Sequence, residues 1–312
     1  MKIMVMGAGG VGGYLGAKLA AAGLDVSFVA RGAHLHVLRS EGIKICGRES
    51  LHMADVSAAS DPRALGIADL IVFTVKLYDT AAAAELIYPV VGPNTAVLTL
   101  QNGIDCVPDL MAHFGAGTVL GGAAYFPANL TAPGVITYLG KIESKPHIAF
   151  GEPGAGTSQR VGDFLALCRE AGISAEASDD TDRMLWEKFL LIAGSSATTA
   201  LCRSVVGKVR SDPDLRWLLR ESIAEAHRVA LASGVALSEN AVEDVLATLD
   251  GNPHDGKSSQ LVDLLNGRRL ELDGLSGAVI RRGESLGVPT PVHRTVYAAL
   301  KPFIDGAVPV AA

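Results

Sequence analysis

Lys188 lies in the run Met184-Leu185-Trp186-Glu187-Lys188-Phe189-Leu190-Leu191-Ile192, where most side chains are apolar. A lysine drawn into such surroundings is suited to donate a proton to a carbonyl oxygen, because burial disfavours its charged form. Helical spacing puts Ile192, Ser195 and Ser196 on the same face. The other reading is a lysine that snorkels to the surface beside Glu187. A second kind of chemistry is offered by Gly7-Ala8-Gly9-Gly10-Val11-Gly12, a G-x-G-x-x-G run. In a chain with 35 glycines the pattern alone is weak. Here it follows a predicted strand and opens a predicted helix, the context in which it binds a dinucleotide. Gly7 permits the tight turn, Gly9 lets the backbone approach a pyrophosphate, and Gly12 lets the helix pack close to the strand. The N–H groups that open the helix, at Gly10 and Val11, then face the phosphates.

The end of the second strand decides which dinucleotide is expected. NAD sites place a carboxylate there for the ribose 2′-hydroxyl. Here the strand ends Phe28-Val29-Ala30-Arg31, and Asp25 lies at its other end. The planar fork of Arg31 suits a 2′-phosphate, and Lys76, ending the strand Val72–Lys76, adds charge to the same region, so NADP is expected. Asn102, in Leu100-Gln101-Asn102-Gly103, follows another strand end, where open α/β sheets line their ligand crevice. An ordinary Asn-Gly turn is its plain alternative. Ser258-Ser259, Asp263 and Glu271 offer hydroxyls and carboxylates, or else a capped helix with a solvated charged end.

These residues need elements to hold them. Short apolar runs at 2–6, 26–30, 70–76, 96–100 and 119–124 alternate with helical stretches at 11–22, 81–88 and 104–113. That alternation predicts a mostly parallel sheet covered on both faces, a Rossmann-type α/β domain. Val135–Leu139 and His147–Phe150, punctuated by glycines, are expected as antiparallel edge strands closing the sheet. After Ser178-Asp179-Asp180-Thr181, which offers several N-caps, only helical periodicity remains. The expected domains are therefore 1–178, α/β, and 179–312, all α.

Bulk properties narrow the partners. Apolar residues make up 49 % and charged residues 19 % of 312, enough for packed cores. A net charge of -6 with no long run of one sign speaks against nucleic acid, while a small anion needs only a few local cations. Cys46, Cys106, Cys168 and Cys202 form no C-x-x-C pair, so neither a disulfide framework nor a zinc site is expected, and a reducing cytoplasm fits. Glycines and Lys18 break the apolar N-terminal stretch that would otherwise imitate a signal peptide, and no uncharged stretch is long enough to span a bilayer. No metal is expected: His34-x-His36 reads as a solvated surface pair, and His227, His254 and His293 are isolated. No G-x-S-x-G hydrolase motif is present.

Taken together, the glycine loop with Arg31, Val75-Lys76, Gln101-Asn102-Gly103, Trp186-Glu187-Lys188, Ser258-Ser259 with Asp263, Glu271 and Pro289-Thr290-Pro291 resemble the ketopantoate reductase family over nearly the whole length. That family reduces 2-dehydropantoate to pantoate with NADPH. The resemblance implies Lys188 as general acid, Glu271 orienting the substrate or its hydroxyl, and Ser259 at the substrate carboxylate. It implies Asn102 between nicotinamide and substrate, Ser196 on the substrate side, and Lys76 and Arg31 at the cofactor phosphates. It also implies a helical domain that binds substrate and forms a homodimer. The chain departs from the pattern where the family places asparagines four and eight residues after the lysine: these are Ile192 and Ser196. Ser276-Gly277 likewise stands where Asn-Gly is usual. Isoleucine cannot bond a hydroxyl, so a smaller or more apolar 2-oxo acid is expected to serve at least as well as ketopantoate. The rival readings are another NADP-dependent 2-oxo or 3-hydroxy acid dehydrogenase and a non-catalytic NADP sensor.

Overall fold

The computed structural model describes residues 1–140, 145–154 and 156–307. Within them the chain forms two compact units: residues 1–101 with 106–184, and residues 102–105 with 185–307.

The first unit is an α/β layer structure. It contains β1 (Lys2–Met6), α1 (Gly10–Ala21), β2 (Asp25–Val29), α2 (Gly32–Ser40), β3 (Ile43–Gly47), β4 (Leu51–Met53), β5 (Ser57–Ala59) and β6 (Ala68–Phe73). There follow α3 (Thr80–Ile87), β7 (Val91–Thr99), α4 (Cys106–Phe114), β8 (Val119–Ala124), β9 (Ala128–Ala132), β10 (Val135–Tyr138), β11 (Ile148–Gly151), α5 (Gln159–Glu170) and β12 (Ala175–Ala177). The main sheet runs β12-β11-β8-β7-β6-β1-β2-β5 and is parallel except where β11 meets β8. Its central strands are apolar along their length because helices cover both faces.

One expectation needs correcting. Val135–Tyr138 does not close the main sheet; it lies in a second sheet of order β4-β3-β10-β9, parallel to β3 and antiparallel to β9. β11 does join the main sheet antiparallel, but β12 pairs parallel beyond it and forms the edge. β4, β5 and β12, three residues each, are too brief for periodicity to reveal, and β3 and β9 were not expected either.

The second sheet explains the composition of α1. This helix packs on β1 and β2 on one side and on β3, β9 and β10 on the other. A Cβ on Gly16 would overlap the Phe28 ring, and one on Gly13 would sit 2.8 Å from Ile136 Cδ1. Small residues therefore appear on two faces, and Tyr14, Leu15, Ala17 and Leu19 fill the core between the sheets.

The second unit is helical. α6 (Thr181–Cys202) starts in the first unit, where Asp180 Oδ1 caps it by accepting the Arg183 N–H at 3.0 Å. Then come α7 (Val206–Ser211), α8 (Pro213–Ala232), α9 (Ala241–Asp250), α10 (Ser259–Leu265), α11 (Ser276–Leu286) and α12 (Pro291–Leu300). Asp212 caps α8 with Pro213 in the first turn, the order that starts helices most cleanly. Among the described residues no helix is long and apolar enough to cross a membrane.

Candidate active site

The glycine loop joins β1 to α1 in the first unit. Gly7 has φ +98°, which a side chain rarely adopts, and its carbonyl accepts the Thr74 hydroxyl at 2.8 Å. A Cβ on Gly10 would overlap the Ala128 carbonyl, and one on Gly12 would overlap Thr74 Oγ1 and the Gly7 carbonyl. Gly9 differs: a Cβ there would meet no atom within 4 Å. Packing explains Gly10 and Gly12 but not Gly9, whose bareness suits close approach of a bound group. Helix geometry leaves the N–H groups of the first turn without intrahelical acceptors, so this end of α1 fits a pyrophosphate.

An acid, Asp79, joins Arg31 to the turn that Lys76 opens. Arg31 Nη2 lies 3.2 Å from Asp79 Oδ2, and Asp79 belongs to the short turn that Lys76 opens. The Arg31 side chain is 79 % exposed, so the pair holds it only weakly and leaves a phosphate able to compete for the guanidinium.

His34 is not the solvated residue expected. It is half-buried, its Nδ1 accepts the Gly134 N–H at 2.9 Å, and its Nε2 therefore carries the proton donated to the Ala8 carbonyl at 2.7 Å. Burial holds its pKa below the ordinary histidine value. The neutral ring thus ties the glycine loop to the turn between β9 and β10. Deeper in, Tyr14 of α1 donates to Glu49 at 3.0 Å, Lys18 pairs with the same carboxylate at 3.1 Å, and Tyr138 meets His147 Nε2 at 3.0 Å. The cofactor helix is therefore held by polar bonds as well as by packing.

In the second unit Lys188 is buried, with 7 % exposed, so the snorkelling alternative does not hold. Ser196, two turns along α6, is 1 % exposed, and Ile192 between them is half-buried. Glu271 is 8 % exposed; Leu270 and Leu272, packed with Ala197, Ala200, Val296 and Leu300, fix the backbone on either side of it. Asn102 is half-buried and belongs to this unit, although Gln101 beside it is fixed in the first by Val75 O and Thr80 Oγ1 at 3.0 and 2.8 Å.

Ser259 begins α10 and is exposed. The neighbours bonded to α6 are Ser258, whose Oγ meets Thr199 Oγ1 at 2.7 Å, and Gln260, whose Nε2 reaches the Ser196 carbonyl at 3.5 Å. Gln260 is 2 % exposed, and its amide oxygen has no hydrogen-bond partner. A buried acceptor left unmade is costly. Ser276 is engaged elsewhere: its hydroxyl lies 3.2 Å from Nδ1 of His293, whose Nε2 donates to the Ser222 carbonyl at 2.9 Å. Burial pushes the His293 pKa down to about 4, so this ring is neutral and structural.

Comparison with known proteins matches both units. Residues 3–152 match the family described as ketopantoate reductase PanE/ApbA, and residues 180–303 match its C-terminal domain. A 2-dehydropantoate 2-reductase of Mesorhizobium japonicum is 31 % identical, with 96 % of this chain and 97 % of that protein covered. The chain belongs to the ketopantoate reductase family. A 2-dehydropantoate 2-reductase of Halobacterium salinarum is 33 % identical, covering 95 % of this chain and 96 % of that one. The crystal structure of a PanE/ApbA family ketopantoate reductase from Ralstonia eutropha JMP134 superposes with a TM-score of 0.88 at 30 % identity, over 97 % of this chain and 98 % of that one.

Within this ketopantoate reductase fold, Asp79, Gln260, Asp105, Arg281 and Arg282 were not singled out by sequence reasoning, whereas Ser258 was. Only Arg281-Arg282 carried a visible signal, a doubled charge directly after the apolar run Ala278-Val279-Ile280.

Proposed function

We propose that this chain reduces a 2-oxo acid to the 2-hydroxy acid with NADPH, 2-dehydropantoate to pantoate or a close analogue, with Lys188 as general acid. The observation that carries the proposal is the burial of Lys188 in the unit that also holds Asn102 and Glu271. The ketopantoate reductase family uses NADPH. The bare position at Gly9 and the phosphate-suited groups Arg31 and Lys76 fit that cofactor. When bound, NADPH supplies the hydride equivalent. The residues of this chain do the rest. Gly10, Val11 and Gly12 bind phosphate through the backbone. The Lys188 ammonium donates a proton to the carbonyl oxygen as charge develops there. Asn102 and Glu271 orient the substrate, Ser259 binds its carboxylate, and Ser196 lies on the substrate side.

A smaller or more apolar 2-oxo acid is a second reading, favoured by the half-buried Ile192 in line with Lys188. The experiment is NADPH oxidation against a panel of 2-oxo acids, for the wild type and Lys188→Ala. Turnover that survives in Lys188→Ala removes the proposed acid, and cofactor binding with no turnover on any substrate leaves a sensor. Ketopantoate far ahead of every other acid removes the second reading.

The protein is further proposed to be a homodimer formed through the helical unit, which exposes Trp217, Leu231, Leu265 and Leu286, and to work in the cytoplasm, where thiols stay reduced. Light scattering that finds a monomer at micromolar concentration overturns the first.

A further inference from the structure

Arg281 and Arg282 sit side by side on α11 and grip the same carboxylate. Arg282 donates to Asp105 Oδ1 from Nε at 3.0 Å and from Nη2 at 2.7 Å, and Nη2 also reaches the Ile104 carbonyl at 3.4 Å. Arg281 donates from Nη2 to Asp105 Oδ2 at 2.9 Å and from Nη1 to the Asp273 carbonyl at 3.0 Å. The Asp273 carboxylate in turn accepts the Tyr297 hydroxyl at 2.6 Å. The Arg282 guanidinium also lies over the Trp186 ring, 5.7 Å from its centroid.

The three segments so joined each carry a proposed site residue. Ile104 and Asp105 follow Asn102; Trp186 is one residue short of neighbouring Lys188; Asp273 is similarly close to Glu271. Residues 102–105 are compact with the helical unit although the chain on either side of them belongs to the other, and the Asp105 grip accounts for that.

We propose that Arg281 and Arg282, with Asp105, are positioning residues that set Asn102, Lys188 and Glu271 in register for the reaction. The inference rests on the reading of those three as the site. The alternative is a surface ion-pair cluster that only stabilises. Magnitudes separate the two. The side chains of Asp105 and Arg282 are about a third exposed (31 % and 30 %) and that of Arg281 is 55 % exposed, so solvent weakens each pair, while the shared bidentate grip keeps a stabilising share that a Tm control must separate from the effect on rate. The paired planar forks nonetheless fix direction tightly, and a misplacement of ~1 Å in an active site costs on the order of 10²-fold in rate.

The test uses Asp105→Asn, Asp105→Glu and Arg282→Lys in the full chain. Arg282→Lys keeps the charge but loses the fork. The expected result for Asp105→Asn and Arg282→Lys is a fall in kcat of about 10- to 100-fold, with Asp105→Glu recovering part of it. NADPH affinity stays within about 2-fold, and the deuterium isotope effect from C4-deuterated NADPH increases as hydride transfer becomes slower. Arg216→Ala, which removes a surface pair with Asp250 in the same unit, serves as the stability control. The proposal is overturned if Asp105→Asn and Arg282→Lys keep kcat within about 2-fold while Lys188→Ala abolishes turnover. It is also overturned if their loss merely tracks a drop in Tm that Arg216→Ala reproduces with the same kcat. Wild-type turnover in Lys188→Ala would instead sink the site reading itself.

Discussion

The glycine loop and the Lys188 face are built by opposite means. At the loop the working groups are backbone amides, and their geometry follows from which positions lack a Cβ: Gly7 for its φ of +98°, Gly10 and Gly12 for closeness to Ala128, Thr74 and Gly7 itself. At the Lys188 face the proposed working groups are side chains from segments far apart in sequence, and the bonds among Asp105, Arg281, Arg282, Ser258 and Thr199 are those proposed to fix them. The residues of a backbone site lie together in the sequence, although Ala128 and Thr74 press on it from distant segments. A side-chain site is specified by tertiary contacts and is more easily retuned, as Ile192 and Ser196 show.

The largest expected effect falls on the side-chain site. Lys188→Ala should lower kcat by roughly 10²- to 10⁴-fold while leaving NADPH affinity intact, the range for loss of a general acid. Steady-state kinetics with a cofactor titration checks it. A comparable effect on NADPH binding would mean that the two regions are not separable in function.

The next effect is on stability against pH. His293 is fully buried in the helical unit with its pKa lowered to about 4. Its folded value lies below the unfolded one, so the neutral ring stabilises the fold above about pH 6.5. That contribution, about 3 kcal/mol, should disappear as pH falls from about 6.5 to 4. Glu225, which accepts the Val292 and His293 N–H groups at 2.7 and 2.9 Å, titrates in the opposite sense because burial raises its pKa. Denaturant unfolding of the wild type against His293→Gln at each pH isolates the histidine. Parallel curves would show that the ring does not titrate with folding.

Within the loop, Gly9→Ala and Gly10→Ala should part company. Gly10→Ala must displace the Ala128 carbonyl and should cost about 1–3 kcal/mol of stability. Gly9→Ala meets no neighbour, so Tm should hold while NADPH affinity falls. Thermal melts with and without NADPH decide, and equal Tm losses would remove the cofactor rationale for Gly9.

The smallest effect concerns cofactor choice. Asp79→Asn removes the half-buried partner of the exposed Arg31 and should tighten NADPH binding by no more than ~1 kcal/mol, about 5-fold. Weaker binding would mean that Asp79 holds Arg31 in place rather than competing for it.

Much of the first unit was legible. Apolar strands buried on both faces reveal themselves by composition alone, as Val72 and Leu98 do at 0 % exposure. The second sheet was not, since strands as short as Leu51–Met53 carry no period and β10 finds its partner β3 some ninety residues away. His34 escaped for the same reason: its acceptor Ala8 and its donor Gly134 lie at distant positions in the chain.

The sequence by itself determined the glycine loop and the phosphate-suited Arg31, because each depends on near neighbours in the chain; whether Lys188 is buried or reaches the surface it left open, and the fold buries it. Only the tertiary structure decided that Asp105 answers to Arg281 and Arg282, that Ser276 belongs to His293, and that Gln260 stands by Ser196 with a buried oxygen unpaired. Those pairings join residues from separate segments, and side-chain bonds of a few ångströms are set by how helices pack, which no local pattern encodes.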